Sequence, residues 1–144
     1  MRVKVATAED LAAVLTLDRH AAAGDAERIA YLERWVPSGH CLVHEGDGVI
    51  DGYVVVRPQH FYARDFIDLL FVREASRRHG IGRALIQAAL QGATTGEVFT
   101  STNRSNLPMQ GLLRDLGWRC SGELTGLDED DSELVYFTAR QPSA

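Results

Sequence analysis

A chain of 144 residues with 45% apolar and 24% charged side chains has the balance of one folded domain, and this excludes a disordered or low-complexity chain. A formal net charge of −5 and a pI near 5.5 argue against a dedicated nucleic-acid binder, whose footprint is a basic face, and suit a cationic or amine-bearing partner. No stretch approaches the length of a membrane span and the first residues carry no apolar signal region, so a cytoplasmic protein is expected.

Val3–Ala6 alternates as a first strand. Thr7 is placed to cap a helix whose first turn holds Glu9 and Asp10, where the helix dipole favours negative charge. Leu11, Val14, Leu15 and Leu17 continue that helix with apolar spacing to about His20. Gly24-Asp25 restarts the chain. Ile29, Leu32, Trp35 and Val36 form the stripe of a second helix, ended by Pro37-Ser38-Gly39.

A hairpin follows. Cys41–Glu45 is one strand, Gly46-Asp47-Gly48 the turn, and Val49–Arg57 the return strand, which Pro58 is expected to stop. Gln59–Arg64 then reads as a loop. Asp65–Val72 is the most strand-like run of the chain. Ile81–Gln91 reads as a helix with Leu85, Ile86, Ala89 and Leu90 on its buried side. Glu97–Ser101 is a strand, Pro108–Leu116 a helix stopped by Gly117, and Trp118–Leu124 and Glu133–Ala139 are closing strands around the acidic run Asp128–Asp131. Strands alternating with helices in the second half predict a mixed α/β sheet covered by helices. Cys41 and Cys120 show no metal spacing and read as two buried thiols in a reducing compartment. His20, His40 and His44 show no metal spacing either, and no metal site is expected.

The segment richest in chemistry runs from Phe71 to Ile86. There a strand enters a loop carrying Arg77, Arg78, His79 and Gly80, and a helix begins around Ile81, Gly82 and Arg83. A helix N-terminus has unpaired N–H groups and partial positive charge, which suits an anion. Gly80 and Gly82 leave the backbone open to a diphosphate, and the Arg and His side chains add charge in an otherwise acidic chain. No third spaced glycine and no Gly-Lys-Ser/Thr ending is present, which excludes dinucleotide and P-loop readings.

Arg77-Arg78-His79-Gly80-Ile81-Gly82 resembles the Gln/Arg-x-x-Gly-x-Gly/Ala signature of the GNAT N-acetyltransferase superfamily. The strand Leu69–Val72 before it, the opening Val3–Asp10, and Asn106 through Trp118 are similar to that family's other segments, in the same order. The resemblance implies an α+β fold: a mixed, mostly antiparallel sheet of six to seven strands, flanked by about four helices, with a splayed central strand pair. It implies a single domain over residues 1–144 that binds acetyl-CoA as cosubstrate. The strand residues Leu70, Phe71 and Val72 would hold the acetyl carbonyl and pantetheine arm, with the Phe71 backbone near the reacting carbonyl. The amides of the Arg77–Arg83 loop would grip the diphosphate, and Asn106 would contact pantetheine or cap the following helix. The family's frequent acidic Tyr, four residues before the Gly of the Gly-aromatic pair, is Leu113 in this chain.

Acetyl transfer to a primary amine needs a group that takes the amine's proton. Asp68, a charge inside an apolar strand, is the candidate general base; a carboxylate satisfied by a neighbouring Arg or amide is the bland alternative. His60 and Tyr62 lie where such proteins build an acceptor pocket but read more simply as surface residues, and Tyr53 and Tyr136 as core or sheet-face residues. Asp128–Asp131 reads as a solvated turn, or as a lure for cationic acceptors. The expected partners are acetyl-CoA and an unidentified amine, either a small molecule or a peptide lysine or N-terminus. A second copy of the chain is an optional partner; nucleic acid and membrane are not expected. Two alternatives stay open: a CoA-binding sensor of weak activity, which Leu113 supports, and an acyltransferase that uses a different acyl-CoA.

Overall fold

In the computed structural model, which describes residues 2–139, β1 (Arg2–Val5) leads through a 3-10 turn into α1 (Leu11–Leu17), α2 (Arg19–Ala22) and α3 (Ala26–Trp35). There follow β2 (Cys41–Gly46), β3 (Val49–Phe61), β4 (Arg64–Val72), α4 (Ile81–Gln91), β5 (Glu97–Asn103), α5 (Leu107–Asp115), β6 (Arg119–Leu124) and β7 (Glu133–Ala139). The strand order is β1-β2-β3-β4-β5-β7-β6. β4 and β5 pair in parallel, whereas β1–β2, β2–β3, β5–β7 and β6–β7 are antiparallel. This is the mixed, mostly antiparallel sheet that the sequence predicts. The β4–β5 ladder comprises Asp65↔Val98, Phe66↔Phe99 and Ile67↔Thr100, while β4 runs on to Val72 and β5 to Asn103.

The chain divides into two compact units, Met1–Val56 with Leu69–Ala89, and Arg57–Asp68 with Leu90–Ala144. In the first, Val14, Leu32, Val36, Cys41, Val43, Tyr53 and Val55 are wholly buried and form the core of the helices against β2 and β3. The helix expected from Ala8 to His20 is divided. Asp18 adopts an extended backbone, and its Oδ1 accepts from the N–H groups of His20 and Ala21 at 2.9 and 3.1 Å. A short acidic side chain that bonds the next turn competes with helix continuation, so α2 starts afresh. The Asp47-Gly48 turn has both residues at positive φ, the two-residue geometry that suits the twist of a hairpin.

In the second unit, Pro58 does not end β3 as expected. The chain turns locally at Gln59 (φ 53), whose N–H donates to Asp65 Oδ1 at 3.0 Å, and the strand continues to Phe61. Asp65, almost fully buried, also accepts from the N–H and hydroxyl of Thr94 at 2.7 and 2.6 Å. The Gln59–Arg64 loop therefore shrinks to Tyr62-Ala63, again with both residues at positive φ. At the end of α5, Gly117 N–H bonds the Arg114 carbonyl and Trp118 N–H the Leu113 carbonyl, the paired bonds of a glycine helix stop. Cys120 is exposed on β6 rather than buried; both cysteines are free.

Candidate functional site

The part of β4 that belongs to the first unit is Leu69, Leu70, Phe71 and Val72, each half-buried. The Phe71 ring stacks on Tyr53, centroids 6.0 Å apart and planes within 15°. Tyr53 is in turn fixed, its hydroxyl donating to Asp18 Oδ2 at 2.5 Å while Arg28 Nη1 donates to the same oxygen at 2.6 Å. Burial alone would push the Asp18 carboxyl up, but the bonds from Tyr53, the Ala21 amide and Arg28 outweigh it and hold the carboxyl below its ordinary value. Burial first, and then the bond to Asp18, push the Tyr53 phenol far up, so it stays a donor.

Beyond Val72 the chain makes a 3-10 turn, with Ser76 N–H on the Arg73 carbonyl and Arg77 N–H on the Glu74 carbonyl at 2.9 and 3.2 Å. Arg77 then folds back. Its Nε donates to the Val72 carbonyl at 3.0 Å, and its guanidinium carbon lies 5.9 Å from the Phe71 ring centroid. Arg78, His79 and Gly80 are exposed, with Arg78 at φ 69 and Gly80 at φ 77. Glycine takes that conformation without cost; arginine does not.

The first rung of the α4 ladder is Ala84 N–H on the Gly80 carbonyl at 3.0 Å. The amides of Ile81, Gly82 and Arg83 precede it and have no intrahelical acceptor. Ile81, Leu85, Ile86, Ala89 and Leu90 are buried, at the i, i+4, i+5, i+8, i+9 spacing of one helix face, so α4 is anchored and its first turn held at the surface. The arrangement is an exposed basic loop leading into a fixed helix N-terminus, suited to a polyanion.

A family model described as "Acetyltransferase (GNAT) family" matches residues 8–118, which contain β4, this loop and α4. The chain belongs to the acetyltransferase (GNAT) family. That family transfers acetyl groups and uses acetyl-CoA as cosubstrate. The fold agrees with a GNAT-family acetyltransferase from Bacillus cereus ATCC 10987, at 28% identity and TM-score 0.90 over 98% of each chain. Nourseothricin acetyltransferase is similar at 26% identity and TM-score 0.63, over 70% of this chain and 65% of that one. The fold is shared with yncA of Salmonella typhimurium, a structure with its cofactor acetyl-CoA, at 18% identity and TM-score 0.74 over 100% and 96% of the chains. A search of curated proteins finds no match.

The other predicted residues lie in the second unit or outside the loop. Asp68 is half-buried and its Oδ2 lies 3.8 Å from Arg57 Nη1, the arginine partner foreseen as the bland alternative. Asn106 caps α5, its Oδ1 accepting from Met109 N–H at 3.2 Å. His60 is exposed and Tyr62 is 81% exposed; Tyr53 and Tyr136 are buried. Leu113 is wholly buried in α5. Within the acidic run, which is exposed from Asp128 to Asp130 as a solvated turn would be, Asp128 accepts from Asn103 Nδ2, and Asp131 accepts from both the amide and the hydroxyl of Ser105, so two of its carboxylates also hold the loop. Among the described residues, no group of three or more His, Cys, Asp or Glu could hold a metal, and no helix is long and apolar enough to cross a membrane.

Three buried polar groups went unread in the sequence. Asp18 and Arg28 lock Tyr53, and Asp65 fastens the β3–β4 turn. His44, to which no role was assigned, is buried with its Nδ1 2.7 Å from Asp51 Oδ1. The available signal was a charge within an apolar alternation, as at Asp51 between Val49-Ile50 and Tyr53–Val56.

Proposed function

We propose that the chain transfers acetyl from acetyl-CoA to a primary amine by direct attack of the amine on the thioester. The observation that supports this reading best is the junction of the loop 77–80 with α4: basic, exposed, and ending in helix amides without intrahelical acceptors, in a chain of the acetyltransferase family. In this reading, Arg77, Arg78, His79, Gly80, Ile81, Gly82 and Arg83 bind the diphosphate. Leu70, Phe71 and Val72 hold the pantetheine arm and acetyl group, and a backbone N–H near Phe71 steadies the oxyanion of the tetrahedral intermediate. Asn106 contacts pantetheine while its carbonyl oxygen caps α5. Asp68 takes the proton of the attacking amine, with Arg57 keeping its carboxylate in place.

The whole chain acts as one domain, alone or as a homodimer. Two free cysteines suit the reducing cytoplasm. The wholly buried Leu113 at the usual Tyr position supports one competing reading, a CoA-binding sensor of low activity, because that position offers no acid to the departing thiolate. A thiol with an ordinary pKa near ~8.5 leaves without such help more readily than an alkoxide, so the enzyme reading is preferred.

Thiol release is to be followed with acetyl-CoA and a broad panel of amines, including nourseothricin, peptide N-termini and lysines. Mass spectrometry of the products should show an added acetyl on at least one amine. If CoA binds but release never exceeds hydrolysis, the sensor reading replaces this one; preference for a longer acyl-CoA would change the donor.

A further inference from the structure

The loop of the proposed cofactor site begins and ends on a single dipeptide of β3. At its entry, Arg73 N–H donates to the Asp51 carbonyl at 2.9 Å. At its exit, Ile81 packs on Gly52 so closely that a Cβ there would lie 3.0 Å from Ile81 Cγ2, 3.2 Å from Leu85 Cδ1 and 3.2 Å from the Phe71 carbonyl oxygen. Contacts of 3.0–3.4 Å are tighter than nine in ten real Cβ contacts. Asp51 and Gly52 therefore fix both the point where the chain leaves β4 and the point where α4 starts.

Asp51 is not a regular strand residue. The β2–β3 register passes from His44↔Gly52 to Glu45↔Ile50, so Asp51 is the extra residue of a bulge. A bulge frees a strand residue from its partner and lets its groups be re-aimed. Here the side chain meets His44 Nδ1 at 2.7 Å, with both residues buried, at 4% and 7% exposure, and the carbonyl meets Arg73. A buried charged or polar pair is weak evidence of stabilisation, since apolar residues of similar volume commonly do as well. The pair does sit at the bulge, and the carbonyl of its Asp51 accepts from the first amide of the loop.

We propose that His44 and Asp51 are positioning residues for the cofactor loop: their side-chain bond pins the bulge whose carbonyl and neighbouring glycine hold the two ends of residues 73–81. The inference rests on the reading of that loop as the CoA site. It extends the site to a pair outside the residues assigned above to cosubstrate and acceptor, and it makes binding separable from folding stability.

The test uses the full chain and CoA itself, by calorimetry, together with thermal unfolding. Asp51→Asn keeps an acceptor for the His44 ring and should bind CoA within about twofold of the parent. His44→Val with Asp51→Val replaces the pair by apolar groups suited to buried strands. It should unfold at or above the parent temperature yet bind CoA on the order of 10-fold more weakly, because small misplacements at a site cost large factors. Parent-like affinity in that double variant, or a loss that simply follows lowered stability, overturns the proposal. If the double variant does not fold, hydrogen exchange of His44→Gln decides: faster exchange across 73–83 with unchanged exchange across α3 supports it, and unchanged exchange across 73–83 overturns it. Failure of the parent protein to bind CoA would instead remove the underlying site assignment, and this inference with it.

Discussion

Arg77 Nε donates to the carbonyl of Val72 at 3.0 Å, tying the signature arginine to the strand it has just left. The same guanidinium sits over the Phe71 ring. Arg77, though exposed, is thus also engaged in holding the end of β4. Arg77→Ala should weaken CoA binding roughly 10-fold through loss of a charge-assisted hydrogen bond. Arg77→Lys should recover little of it, since lysine has no planar fork to lie on Phe71 while bonding Val72. Calorimetry on the three proteins checks this; full recovery by lysine would mean that charge alone matters.

Arg78 is the residue that bears the loop's strain, at φ 69. Arg78→Gly and Arg78→Ala both remove the guanidinium, but only glycine relieves the backbone. Glycine should be the more stable of the two by about 1 kcal/mol in denaturant unfolding. CoA affinity should fall alike in both if the side chain meets phosphate.

Gly82 lies in the first turn of α4, one residue past the buried Ile81 and ahead of the first ladder bond. Gly82→Glu puts a carboxylate beside the amides proposed to receive phosphate, and like charges repel strongly at short range. CoA binding should fall more than 100-fold, an order-of-magnitude expectation from that repulsion, while the unfolding temperature changes by only a few degrees. Unchanged affinity would remove the loop from the site.

What the sequence made legible was governed by local rules. Ile81–Gln91 has one apolar face and good helix formers, and the helix is found at those residues. Gly117 was readable as a stop because left-handed backbone favours glycine. What escaped depends on partners distant in sequence. Pro58 stops most strands, but Asp65 takes the N–H of Gln59 and the strand resumes. Asp18 stood at helical spacing, yet its partners Arg28 and Tyr53 are 10 and 35 residues away. Cys120 was expected inside because cysteine is commonly buried, but β6 is the last strand of the sheet order and every residue of it is exposed. The basic run Arg77–Arg83 stood out because its arginines, histidine and glycines are contiguous in the sequence, whereas the pairing of Asp68 with Arg57 joins residues 11 positions apart.

The Asp18 carboxyl gives the protein an acid limit. Its folded pKa lies below its ordinary value, while in the unfolded chain it titrates near ~3.9. The folded state is thus favoured by the charged form, a contribution present above about pH 4 and lost as pH falls below it. Stability in urea should decline between about pH 5 and pH 2. Asp18→Asn should flatten that slope and cost about 3 kcal/mol at pH 7, since it leaves Arg28 without its buried partner. An unaltered slope would place the acid sensitivity elsewhere.

The two thiols should behave oppositely. Burial, and secondarily the Asp10 charge, push Cys41 up to about 12, so at neutral pH it is a protonated, enclosed thiol. Cys120 is exposed. A disulfide reagent at pH 8 should therefore modify one cysteine quickly and the second only in denaturant, with peptide mapping placing the first at Cys120. Rapid modification of Cys41 in the native protein would contradict the packing of β2.

Asp68 carries the remaining mechanistic weight. It precedes Phe71 by three residues on β4, and its Oδ2 lies 3.8 Å from Arg57 Nη1. A carboxylate held by an arginine can be structural only, or can be an oriented base; kinetics separate the two. If Asp68 takes the amine proton, Asp68→Asn should lower kcat about 100-fold, the usual reach of general-base catalysis, and leave CoA affinity within about twofold. The lost rate should return in part at high pH, where more of the amine is already neutral and needs no base. Arg57→Gln should have a smaller effect in the same direction, because the base remains but is less well oriented. If Asp68→Asn instead lowers stability and CoA affinity together, with kcat unchanged across pH, the ion pair belongs to the fold alone and the amine loses its proton to water.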